Sequence, residues 1–295
     1  MPADSALLKA VSAAIARQTG RVFHATWAEE TGGGCINRAL VVVDGAQKYF
    51  VKLNHAHRLD MFEAEAAGLE EILASQTLRA PRPLCTGQAA GEAFLVLEHL
   101  ALGGHSGEAA LGHGLAALHR ATQDKFGWKR DNTIGSTPQI NTQEADWVTF
   151  YREHRLRYQL ELAAENGERR LLREGEVLLE ALPAFFSDYS PAPSLLHGDL
   201  WGGNRGALLD GTPVIFDPAV YYGDREADLA MTELFGGFGA GFYAAYNEAW
   251  PPDPGYKTRR DLYNLYHVLN HYNLFGGGYA GQALRLMQSL LAEVR

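Results

Sequence analysis

The chain has 295 residues, enough for one large domain or two modest ones around a sizeable core, and its 46% apolar and 21% charged composition excludes global disorder. Its 26 basic against 35 acidic residues give a net charge of −9, and the absence of a Lys/Arg run argues against nucleic acid as the main partner. Two cysteines, Cys35 and Cys85, are too few to staple a secreted scaffold; no apolar stretch approaches the ~18 residues of a membrane span, and the first residues lack the apolar core of an export signal, so a cytoplasmic location without membrane attachment is expected.

In chain order, residues 1–18 form a short amphipathic helix pattern. Residues 21–100 read mostly as strands: the alternation of Phe23, Ala25 and Trp27, then Ala39 to Val43, a turn at Asp44-Gly45, Tyr49 to Leu53, and Ala93 to Leu97. Asp-Gly between two apolar runs is a strong hairpin signal. One helix interrupts them, starting at Asp60 as N-cap and carrying Phe62, Ala66, Leu69, Ile72 and Leu73 at helical spacing. From about Ser106 the pattern is helical, with candidates at 106–124, 143–165, 168–186, 226–248, 257–275 and 279–294. A loop-rich interval at 187–224 breaks the series, and within it Val214 to Phe216 read as a short strand. The expected organisation is a small sheet-rich lobe over 1–100 and a larger, mainly helical lobe over 101–295, joined near Glu98 to Gly104, with a ligand where the lobes meet.

Chemistry concentrates in Leu195-Leu196-His197-Gly198-Asp199-Leu200-Trp201-Gly202-Gly203-Asn204. An aspartate precedes an asparagine by five positions on a glycine-rich loop, and thirteen residues later Asp217 ends the apolar run Val214-Ile215-Phe216. In kinase catalytic loops such an aspartate orients or deprotonates the attacking hydroxyl, while the asparagine and a later aspartate hold Mg²⁺ against the nucleotide phosphates. Hard oxygen ligands suit that ion, which neutralises the migrating phosphoryl group. The plainer reading has Asp199 and Asn204 satisfying turn backbone and Asp217 capping a strand end.

A kinase also needs a cation on the phosphates and a carboxylate to hold it. Lys52 lies on the second arm of the predicted hairpin. At roughly 100° per residue, Glu65 shares the apolar arc of Phe62, Ala66, Leu69 and Leu73, whereas Glu63, Glu70 and Glu71 point elsewhere, and an inward carboxylate requires a cationic partner. The expected pair is Lys52–Glu65. Upstream, Gly32, Gly33 and Gly34 lie between predicted strands, where backbone N–H groups free of Cβ atoms can fold over phosphates; an ordinary hairpin turn is the alternative. Cys35 on that loop is either a small packing residue or an exposed thiol whose oxidation would block nucleotide entry.

These residues, together with Met61 to Ala66 and the segment from Phe216 to Met231, resemble the fructosamine kinase (ketosamine kinase) family, a branch of the aminoglycoside phosphotransferase and choline kinase group. The resemblance runs in order over nearly the whole chain. It implies an α+β, two-lobe protein-kinase-like fold with a small antiparallel sheet in the N-terminal lobe. It further implies ATP- and Mg²⁺-dependent phosphorylation of a sugar hydroxyl on ketosamines, free or on protein lysines, as a deglycation or repair activity; a monomer or weak dimer is expected. By the same analogy Leu95 to Leu100 form a hinge whose backbone at Glu98 and Leu100 meets adenine, Asp199 is the base, and Asn204 and Asp217 hold the metal. The family often has histidine where this chain has Asp224.

Asp224, Glu226 and Asp228 read either as an acidic pocket for a cationic amine or as the charged first turn of a helix. His55, His57, His105 and His113 lack zinc-ligand spacing. Tyr263, Tyr266, His267, Asn270 and His271 share one helical face, as core or as a groove wall. Competing readings are a kinase of another amino-alcohol or aminoglycoside acceptor, and a non-catalytic nucleotide-binding module.

Overall fold

The computed structural model describes residues 5–32, 36–105 and 107–294, and the chain divides into two compact units, Met1–Ser106 with Gly206–Phe216, and Gly107–Arg205 with Asp217–Arg295. In the first unit, helix α1 (Ala6–Thr19) is opened by Ser5, whose Oγ accepts from Leu8 N–H, and closed by Gly20 at φ +67°. Strands β1 (Trp27–Thr31), β2 (Arg38–Asp44) and β3 (Gln47–His55) follow, then helix α2 (Leu59–Ala74), then β4 (Pro83–Ala89) and β5 (Glu92–Glu98). They form one antiparallel sheet in the order β1-β2-β3-β5-β4. The expected hairpin is there, with Asp44 paired to Gln47 across a Gly45-Ala46 turn.

Alternation along β3 decides what lies on each side of the sheet. Val51 and Leu53 join Leu7, Leu8, Val11 and Ile15 of α1 in one buried cluster, while Lys52 points to the opposite face, toward α2. Two expectations for this unit are corrected, and one strand is added. The strand over Phe23 to Trp27 begins only at Trp27, because Ala25 N–H is taken by Ser12 Oγ and His24 N–H by Asp44 Oδ2; Phe23 and Ala25 are buried as irregular backbone. Asp60 is not the cap of its helix. A 3₁₀ turn at Ala56–Arg58 leads into α2, and Asp60 lies in the first turn, where a negative charge suits the helix dipole. Strand β4 was not legible, since Pro83 and Gly87 are poor strand residues and the register shifts between Pro83 and Cys85.

The second unit begins with α3 (Glu108–His119), shorter than the pattern over 106–124. A small hairpin, β6 (Asn132–Ile134) and β7 (Thr137–Gln139), precedes α4 (Trp147–Tyr151), which runs through a π-turn at Arg152–Arg157 into α5 (Tyr158–Glu165) and is capped at Asp146. After α6 (Arg169–Ala181), strand β8 (Ser194–Leu196) leads to the loop that carries Asp199. Strands β9 (Arg205–Ala207) and β10 (Pro213–Ile215) then pair with each other. The Gly206–Phe216 segment packs with the first unit, where Ile215 N–H donates to Arg79 O and Leu102 bridges Leu208.

Strand β11 (Tyr221–Gly223) returns to pair with β8. Helices α7 (Glu226–Leu234), α8 (Ala240–Ala249), α9 (Tyr256–Phe275) and α10 (Tyr279–Glu293) complete the unit. The single helix expected over 226–248 is two, because Gly236 and Gly237 adopt φ of +72° and +100° and end α7. α9 is the core element: Leu262, Leu265, Val268 and Leu269 are fully buried.

Candidate active site

In the first unit, Lys52 sits mid-strand in β3 between Ala39 and Leu95. Its ammonium would be costly to bury alone. α2 supplies the partner: Glu65 shares a stripe with Met61, Gly68 and Ile72, and its Oε1 lies 2.6 Å from Lys52 Nζ. Their side chains are 7% and 11% exposed. Gly32 follows β1 with open space around it; Gly33, Gly34 and Cys35 lie outside the described residues. Beyond them, Asn54 on β3 donates to Asn37 Oδ1 and Ile36 O, anchoring the far side of that loop. Glu98 ends β5; its N–H donates to Arg82 O and its carboxylate pairs with Arg79, while Leu100 O accepts from Leu102 N–H.

In the second unit, the β8–β11 pairing brings the residues before Asp199 beside those after Asp217, and Ala219 N–H donates to His197 O at 2.8 Å. This approach demands a glycine at 198: its φ is +83°, and a Cβ there would stand 2.0 Å from Ala219 O. Asp228, buried on α7, accepts from His197 N–H at 2.7 Å and Gly198 N–H at 2.9 Å, and His119 Nε2 lies 3.2 Å away. Burial pushes its carboxyl up, but the His119 hydrogen bond, the charges of His119 and His197 and the Gly198 N–H outweigh burial and hold it below the ordinary value. One ionised carboxylate thus fixes the turn into Asp199.

Asn204 Nδ2 donates to Asp199 O at 2.8 Å and to Asp199 Oδ2 at 3.2 Å, closing the loop across five residues. Burial, then the charge of Asp217, push the Asp199 carboxyl up to about 7 against the opposing Asn204 hydrogen bond. Asp217 itself is held at φ +58°, an unusual backbone for a non-glycine residue. A cation beside Asp199 and Asp217 would relieve the repulsion that Asp217 exerts on the Asp199 carboxylate, and Asn204 adds an amide oxygen. Among the described residues no three His, Cys, Asp or Glu side chains gather to hold a metal outright. The set suits Mg²⁺, which keeps waters and shares one or two protein oxygens with phosphates.

The fructosamine kinase family model matches residues 7–293. The chain belongs to the fructosamine kinase family. It is 49% identical over 295 residues to a probable ketoamine kinase of Synechocystis, covering 99% of each chain. It is 44% identical over 281 residues to the chloroplastic protein-ribulosamine 3-kinase of Arabidopsis thaliana, covering 94% of this chain and 86% of that one. A crystal structure from Haemophilus somnus, assigned as a fructosamine-3-kinase, superposes with a TM-score of 0.88 at 30% identity over 95% of this chain and 96% of the other. The two-part α+β fold is therefore that of the kinase family, and the chain is a phosphotransferase.

Glu226 and Asp228 form the charged first turn of α7, as the helix reading has it, and with Asp224 they are buried rather than lining an open pocket. Asp224 accepts from Tyr189 O–H and Tyr263 O–H, Glu226 is paired with Arg259 at 2.8 Å, and Asp228 serves the Asp199 loop. Tyr263, Tyr266, His267 and Asn270 are buried in the core of α9, and His271 is half-buried. Sequence reasoning missed Asp228 as the residue that positions the loop, and missed His119 behind it. It also missed Arg205, next to Asn204, whose guanidinium pairs with Glu108 at 3.0 Å and donates to Gly237 O.

Proposed function

We propose that this family member transfers the γ-phosphoryl group of ATP to a sugar hydroxyl of a ketosamine, the ketose adduct of an amine or protein lysine, and so serves protein deglycation. The observation that carries this reading is the Asp199 loop, where Asn204 Nδ2 donates both to Asp199 O and to Asp199 Oδ2 and the charge of Asp217 acts on the same carboxylate. A carboxylate held in this way is a base that can take a hydroxyl proton as the new O–P bond forms. Asn204 and Asp217 would hold Mg²⁺, which when bound neutralises phosphate charge in the transition state. Lys52, fixed by Glu65, is the cation for the nucleotide phosphates, and Gly32 to Gly34 are the glycine loop expected to cover them. The backbone of Glu98 and Leu100 is assigned to adenine.

The names of the relatives support ketosamine acceptors, ribulosamine among them. The test is an acceptor panel with Mg²⁺ and ATP: ribulosyl-, erythrulosyl- and fructosyl-lysine against an aminoglycoside and choline. Turnover confined to the ketosamines is expected. Preferential phosphorylation of the aminoglycoside or choline would replace this reading with an amino-alcohol kinase.

A further inference from the structure

A pocket lies in the first unit at one end of the sheet, four residues along β3 from Lys52. There the ends of β3, β4 and β5 and the chain just after α1 line an open pocket of about 300 Å³, bordered by Arg21, Gln47, Lys48, Tyr49, Arg82, Leu84 and Glu98. Tyr49 and Leu84 rest on the α1 cluster, and the Tyr49 ring meets Phe23 edge-on at 5.2 Å, so the floor of the cavity is fixed.

The lining is cationic. Close by, Arg38 pairs with Glu30 and Glu92, both at 2.9 Å, Arg79 with Glu98 at 2.5 Å, and Lys52 with Glu65 at 2.6 Å. The side chains of Arg21, Lys48 and Arg82 form no ion pair with any described carboxylate within 4.0 Å. Glu98, the one carboxylate in the lining, is committed to Arg79 and to the backbone N–H of Arg82. Three unmatched cations around one concavity, in a chain of net charge −9, repel one another and attract a compact anion. Guanidinium forks are shaped for phosphate oxygens.

We infer that this cavity binds a small phosphate-bearing metabolite of the sugar-phosphate class. Its volume is at the lower end of ligand pockets, roughly 300–1,000 Å³, which suits a sugar phosphate. Arg21, Lys48 and Arg82 receive the phosphate, the Tyr49 ring and Leu84 offer an apolar surface to the sugar carbons, and the Gln47 amide reaches its hydroxyls. Arg82 adjoins Glu98 on both backbone and side chain, so the occupied cavity touches the strand end assigned to adenine.

The test is an NMR titration of the full-length protein with ribose 5-phosphate at constant ionic strength, following the amides of Lys48, Tyr49 and Arg82. Saturable shifts are expected, absent with ribose, and weakened about tenfold or more in Arg21→Ser/Arg82→Ser, the loss of two charge-assisted contacts. These side chains are exposed, so the variant should fold; Lys48→Glu provides a second, single-site check in the same direction. Lys52→Ala should leave the shifts in place, which separates this cavity from the nucleotide residues. Equal shifts with chloride, binding untouched by the substitutions, or binding lost in Lys52→Ala would each overturn the assignment.

Discussion

At Asp199, burial and the nearby Asp217 charge work against ionisation while Asn204 works for it. Replacing the carboxylate by its isostere keeps the Asn204 contact geometry but removes the proton acceptor. Asp199→Asn should therefore lower kcat by about 10²–10⁴-fold and leave ATP affinity, read by calorimetry, nearly unchanged. One residue earlier the demand is steric. Gly198→Ala would put a methyl 2.0 Å from Ala219 O at a φ of +83°, and we expect a loss of more than about 1 kcal/mol in denaturant unfolding together with reduced activity. Much of this scale was legible in the sequence. The Lys52–Glu65 contact follows from strand and helix periodicity, because both partners lie on regular elements whose faces can be counted. The Asp228 contact does not follow, because its partners are backbone N–H groups thirty residues away in a turn with no period to read.

At the scale of elements, the break between α7 and α8 is the feature that bears on function. The Gly236-Gly237 bend passes so close to Gly202 that a Cβ at 202 would stand 3.0 Å from Gly236 O. Arg205 holds that bend by donating to Gly237 O and by lying 4.6 Å over the Phe238 ring, and Glu108 braces it through Gly239 N–H at 2.9 Å. Because Arg205 adjoins Asn204, loosening it should disturb the side chain proposed to hold Mg²⁺. Arg205→Ala is expected to raise the Mg²⁺ concentration for half-maximal rate by about 10- to 100-fold, measured by metal titration of initial rates; Glu108→Gln should do the same to a smaller degree. The sequence showed the glycines but not the break, since the apolar pattern continues across them from Leu234 to Phe242. Strand β4 was hidden for the opposite reason: its pairing overrides a composition that disfavours strands.

For the whole molecule, stability should depend on acid. Burial, then the charge of His271, push His267 on α9 from 6.5 down to about 3, and its Nδ1 has no hydrogen-bond partner. A group depressed on folding binds fewer protons in the native than in the unfolded chain between those values. Its contribution is fully present above about 6.5 and is lost as pH falls toward 3. Thermal melts should therefore drop below pH 6.5, and His267→Asn should shift acid unfolding to lower pH. The division into a sheet-rich first part and a helical remainder was readable from the change of period near residue 100. The membership of Gly206–Phe216 in the first unit was not, because it depends on Arg79 and Leu102, more than a hundred residues upstream.

The most direct test is mass spectrometry of a peptide bearing ribulosyl-lysine after incubation with the protein, Mg²⁺ and ATP. One phosphoryl group on the sugar, absent when Asp199→Asn replaces the wild type, is the predicted result. Phosphate on a peptide side chain, or an unmodified sugar in spite of ATP turnover, would contradict it.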